Sequence, residues 1–182
     1  MEIVLKREMN KKGYLYKFKE NIVGKANYTF GLFPKKIEAF QANEKAILIQ
    51  TNWFIRIINN IPLLNFEEFT PFRYYKNGIE IGKSKKVLFK PLFVFYIKND
   101  VYILKLHNDN YITLMKNDKY IAQYKRSLQL IEEKCFYHIS FEEDNCNLID
   151  VILFCIFVDI IFYANNMKIG YYKREKNIVI WK

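Results

Sequence analysis

The segment Asn147–Tyr163, NLIDVILFCIFVDIIFY, is almost entirely apolar and lies near the C-terminal end of a chain of 182 residues. As a helix, about 17 residues span roughly 25 Å, which is less than the roughly 30 Å of a bilayer core. A helix that is apolar on every side is buried either by lipid or by protein. We expect burial by protein, because Asp159 near a membrane centre would cost about 2.5–3.5 kcal/mol.

The ends of this segment favour a helix over a pair of buried strands. Asn147 is a good N-cap residue, and Asp150 at the third helical position can return the capping bond and interact with the positive end of the helix dipole. Ala164–Asn166 contains asparagines that tolerate a left-handed backbone and can end the helix. We therefore predict a helix over residues 147–164.

Composition indicates one folded domain rather than a disordered chain. The sequence is 51% hydrophobic and 18% aromatic, enough to build a core. Its first residues, MEIVLKREMN, lack the apolar stretch of a secretory signal. The three cysteines, Cys135, Cys146 and Cys155, show no disulfide-framework spacing. We expect a cytoplasmic protein, with attachment to the periphery of a membrane left open.

The positive charge lies in the part of the chain that precedes the helix. Residues 1–131 carry 23 Lys and Arg against 11 Asp and Glu, whereas residues 132–150 carry six acidic residues and one lysine. A basic body favours phosphate-bearing partners such as lipid head groups or nucleic acid. The alternative is compositional, because a chain rich in Lys, Asn, Ile and Tyr is typical of an AT-rich genome.

A nine-residue repeat predicts a meander of strands. Asn-Asp pairs begin the segments Asn99–Ile103, Asn108–Ile112 and Asn117–Ile121, and each pair is followed by β-forming residues. Asn and Asp favour turns, whereas Tyr, Ile and Val favour strands. These segments lack the glycine and the final glutamate of a calcium loop. The predicted strands lie near residues 92–98, 101–107, 110–116 and 119–125.

Further strands complete an all-β pattern. Asn77-Gly78 is a type I′ hairpin signature between strands at 73–76 and 79–83. Alternating or β-branched runs predict the other strands, at residues 3–7, 13–20, 27–32, 36–41, 46–51 and 133–141. About a dozen strands and one apolar helix are best satisfied by a closed antiparallel barrel that encloses the helix, because closure removes exposed edges.

After many predicted antiparallel strands come the strand Lys134–Phe141, the acidic bend Glu142–Asp144 and the apolar helix Leu148–Phe162 with its internal aspartate. In this order of elements the chain resembles the tubby C-terminal-like superfamily, which includes LURP-one-related plant proteins, phospholipid scramblases and small bacterial proteins. The segment Asn117–Gln123 followed by Lys125-Arg126 is also similar to the turn and strand that precede this ending. The pattern is specific over about residues 117–163.

This resemblance implies a barrel of about twelve strands over residues 1–166, threaded by the helix. It also implies binding of phosphoinositide-like lipids through a basic patch, as in tubby proteins, or scramblase activity at a membrane. The segment 167–182 extends beyond the pattern and is expected to form an extra strand, an arm over the barrel or an oligomer contact.

Signals for catalysis are weak. The six glycines form no phosphate-binding loop and no nucleophile elbow. Cys135 and His138 have metal-like spacing, but residues three apart on a strand point to opposite faces. Asp150 and Asp159 are separated by about 13 Å of helix rise, which is too far for an acid–base pair. Asp159 is expected to bond to barrel backbone or to a buried Lys, Tyr or Ser. We predict a non-enzymatic binding or scaffold domain without a cofactor or metal.

An anion-binding site is the sharper functional hypothesis. Lysines crowd the segment after the Asn77-Gly78 hairpin, and each lysine near an anionic membrane contributes about 1 kcal/mol. A solvated charge run that protects a strand edge is the alternative. The candidate residues are Lys83, Lys85, Lys86, Lys90, Lys125 and Arg126.

Other partners stay open at this stage. Nucleic acid could stack on Tyr14, Tyr16 and Phe18 beside Lys17 and Lys19, or on the segment Phe72–Lys76, although aromatics at every second position are typical of a buried strand face. A tail-anchored membrane protein and a domain that binds a protein partner are the remaining alternatives.

Overall fold

The computed structural model describes residues 1–10, 13–27, 35–50, 72–86, 92–108, 111–129, 134–142, 144 and 146–163. In this part of the chain, twelve antiparallel strands close into a barrel, and one helix follows the last strand. The prediction of a closed barrel with a hydrophobic C-terminal helix is confirmed. Residues 164–182 lie outside the described part, as do Lys90 and the predicted helix stop.

Each strand pairs with its neighbours in sequence, and β1 closes the barrel by pairing with β12. This up-and-down order leaves no free sheet edge. The strands are β1 (Glu2–Asn10), β2 (Gly13–Phe18), β3 (Asn21–Asn27), β4 (Lys36–Gln41), β5 (Glu44–Gln50), β6 (Phe72–Lys76), β7 (Ile79–Lys86), β8 (Leu92–Ile97), β9 (Asp100–Asn108), β10 (Tyr111–Lys116), β11 (Lys119–Gln129) and β12 (Lys134–Phe141).

Tight hairpins form where asparagine and glycine predicted them. Asn77 and Gly78 have φ angles of 49° and 85°, as a type I′ turn requires. Asn117 and Asp118, in the third copy of the repeat, have φ angles of 48° and 63°. The turn of the first copy precedes β9, whereas the central residues of the second copy lie outside the described part.

Strand β3 was missed by the sequence prediction. It spans Asn21–Asn27, and all but the first residue of the strand predicted at 27–32 lies outside the described part. The preceding turn uses Lys19 and Glu20 with φ angles of 47° and 65°. Neither residue is a typical left-handed turn former, so the turn gave little local signal. Its consequence is that Lys25 lies on a strand of the barrel wall.

The helix begins and ends close to the predicted limits. Helix α1 spans Leu148–Val158 and continues as a π-helical turn over Asp159–Tyr163. Asn147 occupies the N-cap position with an extended backbone, but its side chain makes no capping bond and instead donates to Glu44 Oε2 at 3.4 Å. The capping part of the prediction is therefore wrong, because a neighbouring strand supplies a competing acceptor.

The helix is fully enclosed, and the barrel wall around it is uneven. Every residue from Ile149 to Ile161 except Asp150 is buried. Helix α1 packs against β3, β4 and β5. Four of the inward residues there are small, and a Cβ atom on Gly24 would lie 2.2 Å from Ile156 Cδ1. These small residues are Gly24, Ala26, Ala39 and Ala46.

Aromatic side chains fill the space on the side of β6 to β9. Phe157 makes edge-to-face contacts with Phe72, Phe93 and Phe95 at centroid distances of 5.0–5.1 Å. Phe154 lies 4.9 Å from Phe95 by the same measure. Each such ring pair contributes about 0.5–1.5 kcal/mol beyond the burial of its area. The position of the helix is therefore set by small residues on one side and rings on the other.

An ion pair inside the barrel fixes the last turn of the helix. Asp159 is fully buried, and its two carboxylate oxygens lie 2.6 and 2.9 Å from Arg7 Nη1. The hydroxyl groups of Tyr16 and Tyr137 donate to the same carboxylate at 2.6 and 2.5 Å. Burial alone lowers the pKa of Arg7, but Asp159 raises it above its ordinary value, so the guanidinium stays charged. The predicted tyrosine partners are confirmed, whereas the arginine was missed.

Candidate anion-binding surface

Two of the lysines predicted after the Asn77-Gly78 hairpin, Lys83 and Lys85, lie on the outer face of β7. Lys83 and Lys85 are exposed and flank the buried Ser84. Among the residues that the structure describes, neither has an ion-pair partner. Lys86 is the last residue of β7, but its side chain is outside the described part.

Lys125 and Arg126 do not form a surface pair. They are consecutive on β11, so their side chains point to opposite faces of the wall. Lys125 is exposed, whereas the Nε of Arg126 donates to the buried Cys135 Sγ at 3.4 Å. Arg126 therefore belongs to the interior, and the prediction that both residues bind one surface ligand needs this correction.

The structure also separates Lys125 from Lys83 and Lys85. Four strand spacings lie between β7 and β11, and at about 4.8 Å each they amount to roughly 19 Å around the wall. Among the candidate residues whose side chains the structure describes, Lys83 and Lys85 therefore do not share a site with Lys125.

A different basic cluster lies on the outer face of β3, β4 and β5. Glu38 projects outward between the inward residues Ile37 and Ala39, and its side chain is only 4% exposed because lysines cover it. Lys36 and Lys45 lie 3.0 and 2.9 Å from Glu38 Oε1. Lys25 lies 3.1 Å from Oε2. We call Lys25, Lys36, Lys45 and Glu38 the Glu38 cluster.

The three lysines determine the pKa of Glu38. Burial raises the pKa of Glu38, but the three ammonium groups outweigh this effect and lower it to about 2. The carboxylate is therefore ionised at neutral pH, and three positive charges surround one negative charge. The cluster carries a net charge of +2 at the surface.

A smaller group of the same kind lies on β1 and β2. Glu8 lies 2.7 Å from Lys6 and 2.7 Å from Lys17. Hydrogen bonds from Lys17 and Lys6 lower the pKa of Glu8 to about 2. Glu8 pairs with Leu15, Leu15 with Lys25, and Lys25 with Glu38, so both groups lie in one cross-strand row. Three strand spacings separate the glutamates, or about 14 Å.

Sequence reasoning missed this surface for a specific reason. Lys36 and Glu38 are two residues apart and predictably share a strand face. Lys25 precedes the strand predicted at 27–32 and lies on strand β3, which the sequence did not predict, so its position beside Glu38 could not be seen. The cue that was available is a glutamate at an outward position between two core residues of a lysine-rich strand.

Most of the aromatic residues considered for base stacking face the interior, and the exception is Tyr75, whose hydroxyl donates to the exposed Glu80 Oε2 at 3.2 Å. Tyr16, Phe72 and Tyr74 are fully buried, and Tyr14 and Phe18 pack against the core. These five rings are not available to stack on a nucleic acid base, so Tyr75 is the one ring of the considered set that faces outward.

Cys135 and His138 lie on opposite sides of β12, as expected from their spacing, with Cys135 buried and His138 exposed.

In the described part of the chain, no helix has the length and apolar character needed to cross a bilayer. Comparison with protein-family models, with curated proteins and with solved structures found no match to this chain.

Proposed function

We propose that this chain is a non-enzymatic binding domain, tubby-like in architecture, that attaches to anionic phospholipid head groups through the outer face of β1 to β5. The observation that carries the proposal is the charge on this face. Five lysines surround two glutamates there, which leaves a net charge of +3 over the Glu38 cluster and the Glu8 group.

The enclosed helix supports attachment from outside the bilayer. Its apolar residues are already buried by the barrel wall, so they have no exposed face to insert into lipid. Attachment then depends on surface charge, and each lysine near an anionic membrane contributes about 1 kcal/mol. This makes binding weaker at high salt.

The test is co-sedimentation of the full chain with vesicles of phosphatidylcholine, with and without phosphatidylserine, at low and at physiological salt. We expect binding only to the anionic vesicles. The triple substitution Lys25→Ala, Lys36→Ala and Lys45→Ala should weaken it about 100-fold, as the loss of three such contacts implies.

A matched control removes the same charge elsewhere. The triple substitution Lys83→Ala, Lys85→Ala and Lys125→Ala should leave the affinity within about threefold of the unmodified chain, because these residues lie on other strands. Equal losses in both variants would mean that net charge alone drives binding, and absence of binding to either vesicle type would refute the proposal.

A further inference from the structure

The three lysines of the Glu38 cluster come from three adjacent strands and converge on one carboxylate. Lys36 and Lys45 each lie within 3.0 Å of the same oxygen atom, so their nitrogen atoms are at most about 6 Å apart. Lys25 approaches the other oxygen from β3. Like charges at this separation repel, and Glu38 offsets the repulsion.

Two of these lysines also interact with the aromatic ring of Phe40. The ammonium groups of Lys25 and Lys45 lie 5.4 and 5.6 Å from the centroid of the Phe40 ring, within the range of cation–π attraction. Phe40 follows Glu38 on the same outward face of β4. Lysine side chains normally lose much conformational freedom when they bind a ligand. Here part of that ordering is already present in the free protein.

The cluster keeps donors for an additional acceptor. Each ammonium carries three N–H groups. Each ammonium of the cluster approaches a single oxygen of Glu38, at 2.9–3.1 Å, so Glu38 occupies only part of this donor capacity. The side chains of Lys25, Lys36 and Lys45 are 46%, 38% and 44% exposed, whereas that of Glu38 is 4% exposed. A ligand from solvent therefore meets ammonium groups and not the carboxylate.

We infer that the Glu38 cluster is a discrete site for one phosphoryl group, in which three lysines bind the phosphoryl oxygens and Glu38 is the positioning residue. The net charge of +2 matches a phosphomonoester, which is close to a dianion at pH 8. Its three terminal oxygens can accept from three ammonium groups at once. The inference deepens the proposed function and rests on it for the lipid-borne form of the ligand.

Substitution of Glu38 distinguishes a built phosphoryl site from general attraction of anions to a basic surface. If charge alone acted, Glu38→Gln would raise the net charge of the cluster and strengthen anion binding. If Glu38 positions the lysines, the same substitution weakens binding although the surface becomes more positive. Glu38→Asp keeps the charge but shortens the side chain, so it tests position alone and supplies a second variant.

The experiment is a titration of the full chain with inorganic phosphate at pH 8 and constant ionic strength. The ¹³Cε signals of the lysines are followed by NMR and assigned through single Lys→Arg substitutions. We expect the signals of Lys25, Lys36 and Lys45 to shift together and saturably. Glu38→Gln and Glu38→Asp should weaken the affinity about tenfold, as expected when the donors lose their alignment.

Glu80→Gln is the matched control, because Glu80 is an exposed partner of Arg73 on other strands and its loss changes the net charge equally. This variant should bind phosphate within about twofold of the unmodified chain. Independent, unsaturated shifts of all exposed lysines would overturn the inference, as would unchanged or stronger binding by Glu38→Gln.

A second experiment with vesicles shows whether the phosphoryl group is carried by a lipid or is free in solution. It also distinguishes failure of the membrane function from failure of the phosphoryl site. At equal surface charge, vesicles with phosphatidic acid present a phosphomonoester, whereas phosphatidylserine presents a phosphodiester. A preference for phosphatidic acid supports a lipid-borne ligand. Binding of free phosphate without binding to any vesicle refutes the membrane function but keeps the site, whereas equal vesicle binding without a phosphate response refutes the site alone.

Discussion

Asp150 and Asp159 lie nine residues apart on one helical segment, but their carboxylates have different surroundings. Asp159 is fully buried and has an arginine and two tyrosine hydroxyl groups as partners. Asp150 is 15% exposed, accepts a hydrogen bond from the Tyr74 hydroxyl and lies 3.8 Å from Lys76 Nζ. The fully buried carboxylate thus has three protein partners, whereas the carboxylate at the start of the helix has fewer close partners and is partly in contact with solvent.

The two positions also differ in what they hold in place. Arg7 and Tyr16 belong to β1 and β2, and Tyr137 belongs to β12, so Asp159 ties the end of the helix to the seam where the barrel closes. Tyr74 and Lys76 belong to β6 alone. We expect Asp159 to fix the depth and rotation of the helix, and Asp150 to contribute much less to stability.

The strongest test places a third carboxylate on the helix, at a position where the described neighbours are aromatic rings. Phe157 lies on the buried helix and contacts three aromatic rings. Phe157→Asp would bury an unpaired charge there, at a cost above about 5 kcal/mol, which is comparable to the stability of a whole domain. We expect loss of cooperative urea unfolding, measured by circular dichroism. Phe157→Leu is the control and should cost about 1–2 kcal/mol; a folded, cooperative Phe157→Asp variant would contradict the enclosed helix.

The next test breaks the buried pair from one side. Asp159→Asn leaves the Arg7 guanidinium inside the barrel without its carboxylate and should lower the free energy of unfolding by about 3–5 kcal/mol. The double variant with Arg7→Met removes both charges, so its loss should be about 2–3 kcal/mol smaller than the sum of the two single losses. Urea unfolding of all four proteins measures this coupling, and additive losses would show that the pair has no special role.

Most of the fold could be predicted because its turns, strands and helix are each specified by residues that are close together in the sequence. The Asn-Asp repeat and Asn77-Gly78 place turns, alternation places strands, and the run Asn147–Tyr163 requires an apolar enclosure. Closure of the barrel follows from the need to satisfy both the sheet edges and the helix. Strand β3 was missed, because the turn before it is made by residues without a turn preference.

The candidate site depended on pairings that no local pattern contains. Lys25 and Glu38 lie on neighbouring strands joined by a connection whose length does not set their register, so their contact is visible only in the folded chain. Arg7 left a clearer cue that was not used. Ile3, Leu5 and Arg7 share one strand face, and an arginine at an inward position predicts a buried carboxylate partner.

The smallest expected effect comes from Asp150→Asn, and its sign is informative. Burial raises the pKa of Asp150, although the hydrogen bond from Tyr74 and the charge of Lys76 act against this shift. The folded chain therefore holds the proton of Asp150 more tightly than the unfolded chain, so ionisation of this group at neutral pH reduces stability.

Asparagine resembles the neutral form of the aspartate. We expect Asp150→Asn to match or exceed the unmodified chain in stability at pH 7, by about 1 kcal/mol or less. As the pH falls through the folded-state pKa of Asp150 towards its ordinary value, the unmodified chain gains stability from this group and the difference should shrink. Urea unfolding of both proteins between pH 7 and pH 4 measures the difference, and all other titrating groups cancel in the comparison. A variant that is clearly less stable at pH 7 and recovers at low pH would instead show that the ionised carboxylate stabilises the helix start, which would make Asp150 a weaker counterpart of Asp159 rather than its contrast.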